Sequence, residues 1–217
     1  ASFSSGWPAG VRRHWAGPEF WTNPLQDWRI ADGRLEMIGG GGDRNVQLLT
    51  RDLPADPGPF DLRVRLGADT PRPGASAGFE LGITGELPDY RHRAIHGSGL
   101  RAGITAEGEI FIGSRAHDQI QQQIDPSEGL VLEVSGRPAN GEVRLTLTAR
   151  TTGGSRLART SATVSGARPA GNIALFGDAP EGDELDRGAV RVWFSNWELE
   201  GEGLSVHPDR TFGPVLW

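Results

Sequence analysis

Apolar and polar residues alternate with a period of two through most of this chain, and that pattern limits the fold more than any other feature. In DLRVRLG, Leu62, Val64 and Leu66 take one side of an extended backbone while Arg63 and Arg65 take the other. EVRLTLTART repeats this with Val143, Leu145 and Leu147 against Arg144, Thr146 and Thr148. AVRVWFSNWELEG sets Val190, Val192 and Phe194 on one face and Trp193, Trp197 and Leu199 on the other. Apolar on both faces, it reads as a central strand covered from both sides. Further strands are expected in WRIADGRLEMIG (two, around Asp32-Gly33), VQLLTRDL, AGFELGI, LRAGITA, EIFIGS, DQIQQQI, LVLEVSG, RLARTSATV and NIALFGD. The turn pairs Glu107-Gly108, Asn140-Gly141 and Gly153-Gly154 fall between them. No stretch carries a clear amphipathic helix. With Gly 32 and Pro 15 spread along 217 residues, many short strands and tight turns are expected. The expectation is one all-β domain of about a dozen strands in two stacked antiparallel sheets.

Composition narrows the function. The net charge is -6, so a general nucleic-acid binder, which needs surplus positive charge, is not expected. All 22 basic residues are Arg, to which little functional weight attaches. With Cys 0, disulfides, thiolate metal sites and Cys nucleophiles drop out together. No apolar run approaches the ~20 residues of a membrane span. The chain starts at Ala1 without a leader, as a mature protein after signal cleavage or a piece cut from something larger would, and a secreted or periplasmic location is expected. It stops on Val215, Leu216 and Trp217, an apolar ending that suggests continuation into a further, covalently linked domain.

The order W.I.DGRLE, F.L.VR, AGFELGI, GLRAGITAEGEIFIG, GNIALFGD and VRVWFSNWELEG resembles the concanavalin A-like (laminin-G-like) superfamily over residues 17–203. That resemblance implies a jelly-roll β-sandwich, with residues 1–16 as an N-terminal arm and 204–217 as a C-terminal tail. More narrowly, W.GPEFW.NPLQDWRI.DGRLE, RNVQLLT and RAIHGSGLRAGI resemble the N-terminal module of secreted bacterial proteins that carry an alkaline phosphatase D-type metallophosphoesterase domain. Metal ligands of such an activity would lie beyond Trp217.

Seven Trp residues frame the candidate site. Trp28 opens an alternating strand and belongs to the core. Trp15 and Trp21 sit in Pro/Gly-bounded loop sequence and either close one end of the sandwich or face a sugar ring. Trp193 and Trp197 are expected on one strand face, roughly 13 Å apart by strand rise. The resemblance implies a concave sheet serving as a glycan groove, where such indoles would stack. In DYRHRAIHGSG, Arg91, His92, Arg93 and His96 crowd into a segment that reads as a loop, because Pro88, Gly97 and Gly99 argue against a helix. The proposed ligand-binding set is Trp21, Asn45, Arg91, His92, Trp193 and Trp197. GGGGDRN (Gly39 to Asn45) reads as a flexible turn before a strand.

FGDAPEGDELDRG gathers acidic residues, from which Asp178 and Asp183 are candidate ligands for a structural calcium, although an acidic solvated loop is the plainer reading. No catalytic residue is assigned. The superfamily's E-x-D-x-x-E strand pattern is not found, and G-x-S-x-G, P-loop and Rossmann fingerprints are absent. The expected function is a non-catalytic accessory module that binds carbohydrate. The alternatives are a glycoside hydrolase or lyase with a divergent active site, and a structural packing domain for a downstream metallophosphoesterase.

Overall fold

The computed structural model describes residues 1–87, 89–181 and 188–213. Among them are 17 strands, forming two antiparallel sheets stacked face to face. The first sheet runs in the order β14 (Arg156–Ser165), β13 (Glu142–Arg150), β12 (Leu130–Ala139), β7 (Phe60–Gly67), β16 (Val192–Gly201), β5 (Arg34–Met37), β4 (Trp28–Ala31), β2 (Arg12–Arg13). Its ninth strand, β1 (Ser2–Ser4), also pairs with β16. The second sheet, of eight strands, runs β11 (Ala116–Gln119), β10 (Glu109–Ile112), β9 (Ser98–Thr105), β8 (Ser76–Thr84), β15 (Gly171–Ala179), β6 (Gly41–Leu53), β17 (Ser205–Val206), and β3 (Phe20–Asn23) pairs with β6.

Alternation places the core where expected. Leu62 and Val64 face inward between Val134 and Leu132 of β12, and Arg63 faces out opposite Glu133. From the other sheet, the inner row Val46, Leu175, Phe79, Ala102 and Ile112 runs across five strands in register. Full burial of Val46, Leu175, Phe79 and Ile112 contributes roughly 1.5–3 kcal/mol each. Trp28 is sealed inside, and its Nε1 donates to the Asn23 carbonyl at 3.2 Å.

The period of two breaks once in β16, and this overturns one expectation. Asn196 has φ 51, and Asn196 and Trp197 together stand opposite Val64, a β-bulge. The extra residue moves Trp197 and Leu199 to the core side with Phe194, while Trp193 stays outside. The two indoles therefore occupy opposite faces of their strand.

The segment expected to be a loop is α1 (Tyr90–His96), a helix of 7 residues. The side chain of Asp89 caps it by accepting from the Arg91 amide at 2.9 Å, a start signal that outweighs the flanking glycines. DQIQQQI is a strand only as far as Gln119. The glycine run is not a free turn either. Gly41 and Gly42 open β6, and a Cβ on Gly39 would overlap the carboxylate of Asp27, which holds Arg44 at 2.9 Å.

Residues near both ends of the described chain pack on the sandwich. Phe3 and Trp7 join its core, and the Phe3 ring meets Trp197 edge-on at 5.5 Å. Near the other end, Leu204 is buried and the backbone of Phe212 donates to the Pro18 carbonyl at 2.8 Å. Val215, Leu216 and Trp217 lie outside the described residues.

Candidate functional site

On the outer face of the eight-stranded sheet, the sequence places polar groups where a buried face would ordinarily be apolar. Asn23 of β3 stands beside Asn45 of β6, and Trp21 beside Gln47. Asn172 of β15 completes a row of side-chain amides. Asn45, Gln47 and Asn172 are 5%, 0% and 3% exposed. Their bonds run in a chain. Asn172 Nδ2 donates to Gln47 Oε1 at 3.0 Å, and Gln47 Nε2 to Asn45 Oδ1 at 3.4 Å. Asn45 and Asn23 both donate to the Ala94 carbonyl, at 2.8 and 3.0 Å. Arg93 Nη1 reaches Asn172 Oδ1 at 3.0 Å. The row is thus closed by one short helix, of which only Ala94 is buried.

Beyond the row lies a charged cluster. Arg101 stacks 4.5 Å from the Phe176 ring centroid and meets Asp178 at 2.6 Å, Asp43 at 3.2 Å and Glu80 at 3.5 Å. Burial alone would lower the Arg101 pKa, but Glu80, Asp178 and Asp43 outweigh it and hold the guanidinium above its usual value. Asp178 is thereby spoken for: Oδ2 binds Arg101 and Oδ1 accepts from the Asp43 amide at 2.9 Å. Both oxygens of Asp178 thus already have partners, which a calcium ion there would have to share. Asp183 lies outside the described residues. No cluster of three or more metal-binding side chains occurs among the described residues.

Four of the sequence-predicted residues gather at this face. Asn45 is in the amide row. His92 lies on the helix above it with its ring 5.0 Å from His96. The guanidinium of Arg91 sits 5.5 Å from the Trp21 ring centroid. Trp21 itself is half-buried, edge-on to Phe212 at 4.8 Å and Tyr90 at 5.5 Å. Trp15 is tied to the same tail, its Nε1 donating to the Phe212 carbonyl at 3.0 Å. These two indoles clasp the tail rather than offering an open platform.

The other two predicted indoles lie elsewhere, and neither presents a ring face to solvent. Trp197 is 0% exposed, packed among Phe3, Phe20 and the core. Trp193 is 2% exposed on the outer face of the nine-stranded sheet, with Arg34 and Arg65 at 5.1 and 5.4 Å from its ring. Gly67 and Gly129 let the backbone close over its edge, since a Cβ at either would strike the indole. A shared stacking surface for this pair is ruled out by the bulge and by this packing.

The nine-stranded sheet carries an open trough of about 550 Å³ on its outer face. Ser135, Thr146 and Thr148 contribute hydroxyls to its lining, and Thr146 Oγ1 lies 3.0 Å from Ser161 Oγ. Its walls are paired charges: Arg137 grips Asp61 through both oxygens at 2.9 Å, and Arg150 meets Glu133 at 2.7 Å. Glu198 and Glu200 border it from one strand face. Sequence reasoning missed this pair, although the alternation in WELEG could have revealed it.

No family model and no curated protein matches this chain. Solved structures do. The metal-free carbohydrate recognition domain of Emp46p superposes with a TM-score of 0.52 at 12% identity, covering 91% of this chain and 95% of that one. Lectin I-B4 from Griffonia simplicifolia, also metal-free, gives 0.55 at 11% identity, with 92% and 98% covered. The fold is a concanavalin A-like jelly roll. Arcelin-5, a lectin-like defense protein from Phaseolus vulgaris, gives 0.55 at 10% identity over 92% of this jelly roll and 96% of its own chain. At such identities the likeness concerns architecture alone.

Proposed function

We propose that this jelly roll is a non-catalytic carbohydrate-binding module, and that its ligand is read on the outer face of the eight-stranded sheet. The observation that carries the reading is the amide row. Planar groups that both donate and accept suit vicinal hydroxyls, and here Asn23, Asn45, Gln47 and Asn172 are satisfied mainly by one another and by α1. Lifting α1 replaces a few hydrogen bonds, each worth about 1 kcal/mol net, by those of a sugar. Arg91 and His92 on α1, with Trp21 beside them, form the rim. Carbohydrate recognition in Emp46p and the Griffonia lectin supports the class of ligand.

The accessory role in a secreted bacterial protein, alongside a metallophosphoesterase domain, belongs to the same proposal. It rests on the resemblance of W.GPEFW.NPLQDWRI.DGRLE (residues 15–36), RNVQLLT and RAIHGSGLRAGI. The reading frame of the parent gene tests it directly.

Binding is tested on a glycan array followed by calorimetry on the hits, in the micromolar to millimolar range expected of shallow sugar sites. Asn45→Ala and Arg91→Ala should each weaken binding about five- to tenfold, whereas Thr146→Val with Arg159→Ala should leave it unchanged. The reverse pattern would move the site to the trough. A second, catalytic reading is favoured only by Glu198 and Glu200, whose spacing places both carboxylates on one face. Reducing-end release from an array hit, lost in Glu198→Gln, would establish it.

A further inference from the structure

The helix that closes the amide row carries two imidazoles, of which the sugar reading uses only one. His92 and His96 are four residues apart in α1, a spacing that makes side chains neighbours on one helix face, about 5–6 Å between Cβ atoms. Their rings meet, with centroids 5.0 Å apart and planes inclined at 51°. His96 is exposed and His92 half-buried. The cations beside them in sequence are engaged elsewhere: Arg91 lies over the Trp21 ring at 5.5 Å, and Arg93 donates to Asn172 at 3.0 Å.

The nitrogens of His92 are unequal. Its Nδ1 is buried without a hydrogen-bond partner, near enough to Gly85 that a Cβ there would lie 3.3 Å from it. Nε2 stands at the far end of the side chain. Neutral imidazole carries its proton on one nitrogen and a lone pair on the other, so a proton on Nδ1 makes Nε2 the ligating atom. Two histidines four apart on one helix face are a spacing that holds zinc, and imidazole suits Zn, Cu and Ni where Ca and Mg prefer oxygen.

We propose that His92 and His96 bind one divalent transition-metal ion, with water in its remaining positions, and that the ion clamps α1 shut over the amide row. A helix of 7 residues is too short to be stable alone, and an ion bridging consecutive turns favours the state in which both turns are formed. The row is tied to those turns, because Asn23 and Asn45 donate to the Ala94 carbonyl. The metal site stands on the helix alone; its effect on sugar binding rests on the reading of the amide row as the glycan site.

Zn²⁺ and Cu²⁺ are titrated by calorimetry into the wild-type chain at neutral pH in a non-chelating buffer. One site is expected, tighter for Cu²⁺ than for Zn²⁺, and excess Mg²⁺ should displace neither. His92→Gln and His96→Gln should each weaken Zn²⁺ binding about tenfold or more, because the second imidazole acts at high effective concentration. With Zn²⁺ at about ten times its dissociation constant, exchange of the Gly97 amide, bonded to the Arg93 carbonyl at 2.8 Å, should slow about tenfold in the wild type. The same Zn²⁺ concentration should leave that amide unchanged in His96→Gln. Zn²⁺ binding that is absent, or undiminished in both variants and so seated on His117 or His207, overturns the site. Unaltered Gly97 exchange in saturating Zn²⁺ overturns the clamp. A glycan-array hit should bind the wild type about tenfold more weakly at that Zn²⁺ concentration, and His96→Gln equally with and without it. Zinc that slows Gly97 without weakening the glycan counts against the amide row as the sugar site and leaves the metal site standing.

Discussion

Asn196 has a φ of 51, a conformation that Asn tolerates and β-branched residues do not. Asn196→Val should therefore cost about 1–3 kcal/mol in chemical denaturation, and Asn196→Gly should stay within roughly 0.5 kcal/mol of the parent. Equal losses in both would mean that the side chain, not the backbone, holds the bulge. A second residue-scale consequence concerns acid. Glu107 accepts from the Gly74 amide at 2.8 Å, and this bond, followed by its own backbone amide, holds its carboxyl below the usual range. A lowered folded-state pKa means stabilisation that is fully present above the unfolded value and lost as pH falls through the folded one. The tie between the Gly74 turn and the Glu107 turn should thus persist at neutral pH and fail only on strong acidification. An NMR titration of the Glu107 carboxyl should give a midpoint below that of a free glutamate, and Gly74 amide shifts should follow it.

Among the elements, α1 differs from everything around it. Isolated helices of this length are marginal in water. Ala94 is its one buried residue, and Ile95 is 54% exposed. Its attachments are polar bonds from Asn23, Asn45 and Arg93 together with the contacts of Tyr90 and Arg91 on Trp21. Hydrogen exchange should accordingly be much faster at residues 93–97 than at the paired amides of β6, reflecting local opening instead of global unfolding. A glycan hit from the array should accelerate exchange there further, since it competes for the same amides. Protection of α1 by the glycan would instead mean that the row stays closed and that the ligand is held at the rim alone.

For the whole molecule, the closing contact is between its N-terminal residues and β16. The amino group of Ala1 donates to the Gly201 carbonyl at 2.8 Å, and Phe3, Trp7 and Phe20 form one aromatic group with Trp197. Residues 1–7 thus supply core, through Phe3 and Trp7, in the stretch expected to cross one end of the sandwich as an arm. Removing them should cost about 3–5 kcal/mol or more, the magnitude of losing a single large aromatic, and should lower Tm visibly in calorimetry. The sandwich itself was legible because burial on one face of an extended chain imposes a period of two, and that period is written locally in DLRVRLG and EVRLTLTART. The candidate site was legible only in part. Asn45, Arg91, His92 and Trp21 could be picked out by residue type, but nothing local reveals that Asn172, 127 residues beyond Asn45, lies beside Gln47. Nor does local pattern disclose a bulge. One inserted residue at Asn196 exchanges the faces of every residue after it, so Trp193 and Trp197 part company through pairing with β7, not through anything in their own stretch of chain. Alternation along the sequence determined the two layers; which side chains meet across strands, and which indoles are sealed, was decided by register, because register is a property of partners distant in the chain.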